Sequence, residues 1–243
     1  MNKIDIVYVL KESDNNLDLK YSLRSLVNVT GYNKVWFSGY CPTWTKPDGF
    51  VKTAQTNNKW LNSLTNVVAA CKNNKITENF ALFNDDFFAI NPVNLLTDLN
   101  LYRDTLDNAI EKYRKEKYSR WRDAHRQTKR LLEKLKCKHF DNFALHIPVI
   151  INKNAFLEMM DKPEIKDHID NYRLLSYRSV YGNLNWNHPT KVHDIKLKKG
   201  EDIKDENLNR QWTSVRDNVT NNLDKYPKLK SILSILPKSK YEV

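Results

Sequence analysis

Two adjacent aspartates interrupt the apolar run of residues 80–90 in this sequence. Residues 80–83 are apolar and predict a buried strand, which Asn84, Asp85 and Asp86 follow directly. Ionised carboxylates beside such a strand are costly unless a cation or a hydrogen-bond donor meets them. We therefore expect the pair where the strand ends and the sheet opens to a ligand, a position suited to a divalent metal carrying a nucleotide diphosphate.

The same three residues have a purely structural interpretation. Asn and Asp favour helix caps and tight turns, because their side chains bond to nearby backbone groups. The sequence alone leaves the turn and the metal site open as alternatives.

Three further segments carry residue types that suit nucleotide chemistry. His146 lies in an apolar stretch ahead of Pro148, and an ordinary imidazole can accept a proton, although many such histidines are core residues. Arg178 can clamp phosphate oxygens with its planar fork, or pair with a surface acid. Residues 58–62 open a helix whose backbone amides and Lys59 can meet an anion, although polar helix caps explain them equally well.

Composition excludes several protein classes. The 243 residues include only five glycines, so the chain lacks the Gly-rich phosphate loops of Rossmann dehydrogenases and P-loop kinases. Its three cysteines are widely spaced and form no metal-binding motif. No apolar stretch approaches the ~20 residues of a membrane span, and the N-terminus leads directly into a strand-like segment. We expect no membrane partner and a cytoplasmic location, in the host cytoplasm if the protein is viral.

Positive charge is concentrated in one segment. The formal net charge is +11, and residues 103–138 contain 13 Lys and Arg against 6 Asp and Glu. Such an excess favours a polyanionic partner, either nucleic acid or a phosphorylated substrate. A basic surface that serves only solubility is the alternative.

Alternating strand and helix patterns in the first 90 residues predict a parallel α/β sheet. The predicted strands are 4–10, 34–38, 50–53 and 80–83, and the predicted helices are 17–26 and 60–71. Residues 106–135 have helical spacing and predict one long helix or a helical pair. Further along, the predictions are strands at 142–151 and 192–197 and a helix over 172–181 that ends at Gly182. We expect a single domain, 1–243, with a basic helical insertion at 100–138.

Several short motifs occur in a fixed order along this chain. They are Val7-Tyr8, Tyr21-Ser22-Leu23-Arg24-Ser25, residues 58–62, Phe83-Asn84-Asp85-Asp86-Phe87-Phe88, His146-Ile147-Pro148, Tyr177-Arg178-Ser179 and Pro237-Lys238-Ser239-Lys240-Tyr241-Glu242. In this order they resemble the motifs of Stealth-type sugar-phosphate transferases, and still more closely those of small bacteriophage proteins called glycosyltransferases. The resemblance covers most of the chain outside residues 100–138.

This resemblance implies a GT-A-like nucleotide-sugar fold with Mn²⁺ or Mg²⁺ on Asp85 and Asp86. It implies active-site roles for these two acids, for His146 and for Arg178, with a nucleotide sugar, in particular a UDP-sugar, as donor. The donor contacts are expected from Arg24, Lys59, Asn62 and Asn84.

The sequence therefore predicts a metal-dependent glycosyltransferase that moves a sugar from a nucleotide-sugar donor to an acceptor hydroxyl. The basic segment and the phage-like motifs favour a hydroxymethylated pyrimidine in phage DNA as the acceptor. One alternative is transfer of a sugar or a sugar 1-phosphate to a capsular or surface glycan. The other is a non-enzymatic, basic nucleic-acid-binding protein whose aspartates are structural.

Overall fold

The computed structural model describes residues 3–13, 16–97, 101–114, 119–171, 174–187, 189–193, 195–216 and 219–243. Contacts divide the chain into two compact units. The first consists of Met1–Leu99, His146–Ile150 and Asp194–Val243, and the second of Asn100–Leu145 and Ile151–His193. None of the helices in the described residues is long and apolar enough to cross a bilayer.

The strands lie in both units and many are short. In chain order they are β1 Ile4–Val9, β2 Val29–Thr30, β3 Tyr32–Gly39, β4 Gly49–Lys52, β5 Asn79–Phe83, β6 Phe87–Ala89, β7 Val93–Asn94, β8 Leu101–Tyr102, β9 Asp104–Thr105, β10 Asp141–Asn142, β11 Val149–Asn152, β12 Thr190–Lys191, β13 Lys196–Leu197 and β14 Trp212–Val215.

The helices alternate with these strands. They are α1 Leu17–Ser25, α2 Lys59–Lys72, α3 Leu106–Lys112, α4 Arg120–Lys134, α5 Lys153–Asp161, α6 Pro163–Asp170, α7 Tyr177–Asn185 and α8 Pro227–Ser234, with short 3-10 turns at Leu26–Asn28, Asp205–Asn207 and Thr220–Lys225. The α/β class predicted from the sequence is confirmed.

A five-stranded sheet with the order β11-β5-β1-β3-β4 is the centre of the first unit. Strand β1 pairs in parallel with β3 on one side and with β5 on the other, and β3 pairs in parallel with β4. Successive residues Ile6, Val7 and Tyr8 of β1 are all fully buried. Burial of consecutive residues shows that both faces of the strand are covered, as in other parallel sheets.

Helix α1 is attached to β6 by polar side chains as well as by its apolar face. Ser22 Oγ donates to the Phe87 carbonyl at 2.6 Å, and Ser25 Oγ accepts from Ala89 N at 3.0 Å. Asn28 Nδ2 donates to the Ala89 carbonyl at 2.8 Å. These side chains satisfy the backbone groups along one edge of β6, so the sequence of α1 fixes where this strand lies.

The other edge of β6 joins a small sheet with the order β13-β14-β6. Strand β14 runs antiparallel to β6 and parallel to β13. This sheet covers a second apolar cluster that includes Phe88, Leu197, Val215 and Leu229. The register places Ser214 opposite both Phe87 and Lys196, which determines the surroundings of the residue before Phe87.

The second unit is mainly helical. The segment predicted as one helix or a pair forms α3 and α4, and residues 115–118 of it lie outside the described residues. Lys129 of α4 donates to Asp107 of α3 at 2.7 Å. Thr128 Oγ1 accepts from Ser176 N at 3.0 Å, just before α7.

Helix α7 does not end at Gly182, as the sequence pattern suggested, but continues to Asn185. A side chain at Gly182 would place its Cβ 2.5 Å from the Phe143 ring. This glycine therefore allows a close approach within a helix rather than terminating one. The predicted helix started at residue 172, and residues 172 and 173 lie outside the described residues.

Two predicted strands are also shorter than expected. Of residues 142–151, only Asn142 and residues from Val149 onward are strand, because the intervening residues bend before β11. Of residues 192–197, only Lys196–Leu197 is strand, and residue 194 is outside the described part of the chain.

The C-terminal residues are held against α1 by a charged pair. Glu242 accepts from Arg24 Nε and Nη2 at 2.8 Å each and from Ser239 N at 2.9 Å. Burial alone raises the pKa of the Glu242 carboxyl, and the hydrogen bonds from Arg24 and Ser239 outweigh it, so the pKa is lowered. Tyr241 contributes a further hydrogen bond, from its hydroxyl to Asp48 at 3.0 Å.

We predict that Glu242→Gln lowers the free energy of unfolding by about 1 to 2 kcal/mol, because it weakens charge-assisted hydrogen bonds at a mostly buried position. Urea denaturation followed by circular dichroism measures the change. Glu133→Gln, at an exposed position of α4, is the control and should leave stability nearly unchanged. Equal effects of the two substitutions would contradict a stabilising role for the pair.

Candidate functional site

The acidic segment forms a tight turn between β5 and β6. Phe87 N donates to the Asn84 carbonyl at 3.4 Å, and Asp85 and Asp86 are the two central residues. The structural interpretation of Asn-Asp-Asp as a turn is therefore correct for the backbone. The carboxyl groups themselves need a separate account, because a turn does not require two acids in partly buried positions.

The turn lies at the point of the sheet where ligands bind in many α/β proteins. The chain passes from β1 to β3 and β4 on one side and then returns to β5 on the other side of β1. The strand order thus reverses between β1 and β5. A crevice outside the carboxyl ends of strands at such a reversal is the usual ligand site, and Asn84 follows the carboxyl end of β5 directly.

Asp85 has an environment that favours its protonated form. Its Oδ2 accepts from Asn16 Nδ2 at 2.8 Å, and Asn16 Oδ1 in turn caps α1 by accepting from Leu19 N at 3.0 Å. Burial, and then the negative charge of Asp86, raise the pKa of Asp85 to about 7 against the lowering effect of Asn16. A carboxyl group that titrates near neutral pH can accept or release a proton during catalysis.

Asp86 has a cationic partner. Its Oδ2 accepts from Lys196 Nζ at 3.0 Å and from Ser214 Oγ at 3.1 Å, and its side chain is only 14% exposed. Its Oδ1 is buried, and no described residue donates a hydrogen bond to it. Because an unpaired buried carboxylate oxygen is costly, Oδ1 is the atom of this site most in need of a ligand.

A small cavity lies at the same carboxyl edge of the sheet. It has a volume of about 70 Å³ and its lining includes Leu10 and Lys11 after β1 and Gln55 and Lys59 near the start of α2. Gln55 Oε1 is buried there, and it accepts no hydrogen bond from the described residues. Two lysines around a volume of this size suit a phosphate group rather than a whole nucleotide.

Two of the predicted donor-binding features are already used in local structure. Asn62 accepts from Thr56 N and Oγ1 and donates to the Thr56 carbonyl, so its amide fixes the loop before α2. Asn58 Oδ1 caps α2 by accepting from Trp60 N and Leu61 N. Of this segment, the Lys59 side chain is exposed and lines the cavity.

The other predicted site residues are distributed over both units. Arg24 uses Nε and Nη2 to bind Glu242. His146 is half-buried in the bend before β11, the strand adjacent to β5. Arg178 belongs to the second unit, where it is buried in α7 and its Nη1 donates to the Leu145 carbonyl at 3.0 Å. Their roles in donor binding or catalysis remain predictions.

The two carboxyl groups of the acidic turn suit a divalent metal only if a bound ligand supplies further coordinating oxygens. The described residues contain no group of three or more His, Cys, Asp or Glu side chains that could hold a metal ion. The turn offers two carboxyl groups, including the unpaired Oδ1 of Asp86. Mg²⁺ and similar hard cations are commonly bound by one or two carboxylates together with substrate phosphates, and the residues present fit that kind of site.

The sequence analysis missed the partners of the two acids. Asn16 carries the ordinary signal of a helix cap, a polar residue before an amphipathic helix. Lys196 lies between Ile195 and Leu197, and Ser214 lies between Thr213 and Val215, each in a short strand. Nothing local indicates that these two meet Asp86, which is 110 and 128 residues away from them.

We predict that Asp85→Asn changes the pH dependence of stability. A carboxyl group whose pKa is about 7 in the folded protein and about 4 when unfolded costs stability progressively as pH rises between these values. The free energy of unfolding of Asp85→Asn should therefore increase relative to wild type over this range. Urea titrations in chelator measure it, and Asp170→Asn at an exposed position is the control. Parallel pH profiles for Asp85→Asn and wild type would exclude a raised pKa.

Sequence comparison does not place this chain among known families. No protein-family model matches it, and no curated protein matches it. The resemblance to Stealth-type and bacteriophage transferases therefore stays an expectation, carried by the motifs described above.

Proposed function

We propose that this protein is a nucleotide-sugar-dependent glycosyltransferase whose donor binds at the carboxyl edge between β1 and β5. The observation that supports this proposal most is the Asp85-Asp86 turn at the point where the strand order reverses. The cavity with Lys11 and Lys59 at the same edge adds positive charge for a diphosphate. In this proposal the α/β fold is of the GT-A-like kind, and the donor is a UDP-sugar.

A divalent metal, Mn²⁺ or Mg²⁺, is part of the proposal. Asp86 would hold it through the buried Oδ1, and Asp85 would assist. When bound, such an ion neutralises the charge that develops on a departing nucleoside diphosphate.

The residues of the chain would then divide the remaining tasks. Lys11 and Lys59 would bind donor phosphate oxygens. Lys196, which is paired with Asp86, would compete with the metal for this carboxylate. The acceptor hydroxyl would give its proton to a carboxylate oxygen of Asp85 while its oxygen bonds to the sugar and the sugar–phosphate bond breaks. Without a metal the pKa of Asp85 is about 7, and a bound metal would favour the ionised carboxylate that this step needs. His146, for which the sequence leaves open the roles of metal ligand and base, is the second candidate for the base.

The favoured acceptor is a hydroxymethylated pyrimidine in DNA, because the strongest concentration of positive charge in the chain suits a polyanion. A capsular or surface glycan is the alternative acceptor. Transfer of a sugar 1-phosphate would carry the sugar-linked phosphate to the acceptor, and a β-³²P label in the donor distinguishes this reaction from sugar transfer.

One observation favours a non-enzymatic function. Asp86 Oδ2 is satisfied by Lys196 and Ser214 without any ligand, as expected of a structural acid. In that case the protein would bind nucleic acid through its basic segment, and substitution of the two aspartates would change stability alone.

We predict that one nucleotide sugar, with Mn²⁺ or Mg²⁺, raises the thermal stability of the protein. A ligand at a hundredfold excess over its dissociation constant adds roughly 2.7 kcal/mol. Asp86→Asn should abolish this stabilisation, whereas Asp170→Asn, which removes an exposed acid of α6, should retain it. Thermal-shift assays over a panel of nucleotide sugars provide the measurement. Stabilisation that persists in EDTA would refute the metal, and an unresponsive panel would refute the donor site.

We predict that Lys196→Met strengthens Mn²⁺ binding, because it removes a cation 3.0 Å from Asp86. Two unit charges at such a distance interact by about 1 kcal/mol or more even in water, so the gain should reach about fivefold. Titration calorimetry or the paramagnetic resonance of free Mn²⁺ measures it. Lys198→Met, which removes a more exposed lysine nearby, should have little effect. Unchanged or weaker binding by Lys196→Met would show that Asp86 is not a metal ligand.

A further inference from the structure

Helix α4 presents two chemically distinct faces. Ala124, Thr128, Leu131 and Leu132 are buried in the second unit. The exposed positions include the basic residues Arg120, Arg126, Arg130 and Lys134. Four of the 13 basic residues in the segment 103–138 are thus exposed on this helix.

Three of these residues form a stripe. Arg126, Arg130 and Lys134 are spaced by four residues, so each lies one turn above the last on the same side of the helix. Within the described part of the chain none of them has an ion-pair partner, whereas Lys129 on another face is paired with Asp107. Like charges at this spacing destabilise a helix, so the protein tolerates a repulsion that a bound polyanion would relieve.

The stripe is long enough to meet more than one phosphate of duplex DNA. From residue 126 to residue 134 the helix rises about 12 Å. One strand of B-DNA carries a phosphate every ~3.4 Å along its axis, and its major groove admits an α-helix.

Acidic residues limit the stripe on one side. A cavity of about 230 Å³ is lined by Arg130 and Lys134 and also by Glu164 and Asp167 of α6. Arg126 does not line this cavity. The two acids reduce the positive potential around Arg130 and Lys134, so Arg126 is the cation of the stripe that they offset least.

We propose that the exposed face of α4, centred on Arg126, Arg130 and Lys134, binds the phosphate backbone of duplex DNA. The purpose of this contact rests on the proposed function, because it would hold the acceptor strand for modification. The binding itself requires no donor, metal or catalysis.

The experiment compares two triple variants that lose the same charge. Arg126→Gln/Arg130→Gln/Lys134→Gln removes the stripe, and Lys72→Gln/Lys75→Gln/Lys238→Gln removes three exposed lysines of the first unit. Fluorescence anisotropy with a labelled duplex, in EDTA and without nucleotide sugar, gives the affinity over a series of salt concentrations. Circular dichroism establishes that both variants are folded, and glutamine keeps the helix propensity of arginine and lysine.

Each phosphate contact contributes about 0.9 to the slope of log affinity against log salt. We expect the stripe variant to lose roughly two to three units of slope and more than about tenfold in affinity at low salt. The control variant should keep the wild-type slope. Among single substitutions, Arg126→Gln should cost more affinity than Lys134→Gln.

Equal losses in both triple variants would overturn the proposal, since they would reflect net charge alone. Tighter binding to a sulfated glycan than to the duplex would also overturn it. The proposed function fails separately: DNA binding through α4 with no nucleotide-sugar binding refutes the transferase and leaves this surface. Donor binding without duplex binding would refute the DNA-binding surface and leave the transferase.

Discussion

The packing of the first unit around the end of β5 depends on two neighbouring, partly buried carboxyl groups. An unpaired buried carboxylate is too costly to retain, so each needs a donor from elsewhere in the fold. Asn16 meets Asp85, and Lys196 and Ser214 meet Asp86. The turn thereby connects the start of α1 to the small β13-β14-β6 sheet. A substitution of either acid therefore also disturbs the part of the unit that supplies its partner.

Asp85 and Asp86 have different hydrogen-bonding partners, and the difference has chemical consequences. Asp86 has a lysine and a hydroxyl on one oxygen. Asp85 accepts a hydrogen bond from the neutral amide of Asn16, and burial beside Asp86 raises its pKa to about 7. Of the two acids, Asp85 is therefore the one suited to proton transfer.

Local patterns predicted the elements of the first sheet well but not the contacts that define the site. Strands β1, β3 and β5 and helices α1 and α2 follow from hydrophobic periodicity, because each buries a face large enough to leave a clear pattern. Strand β14, Trp212–Val215, was not predicted, because Thr213 and Ser214 interrupt its apolar residues although the whole strand is buried. The prediction that α7 ends at Gly182 was wrong because this glycine instead makes room for the ring of Phe143, a residue distant in sequence. Lys196 and Ser214 were invisible as partners of Asp86 for the same reason.

Charge at the carboxyl edge constrains how a nucleotide sugar could bind there. A diphosphate brought to two carboxylates is repelled, and Lys196 is already paired with one of them. Lys11 and Lys59 at the same edge can offset part of that repulsion, and a divalent ion can offset the rest. Protonation of Asp85 would remove one negative charge from this edge and so reduce the repulsion of a diphosphate. A donor that binds without a metal would therefore bind the protonated form of Asp85 more tightly and raise the pKa of this carboxyl further. A metal has the opposite effect, since it favours the ionised carboxylate that would then serve as a ligand. If a nucleotide sugar binds at this edge, the two modes of neutralisation exclude each other at Asp85, and the pH dependence of its binding would follow from which one operates.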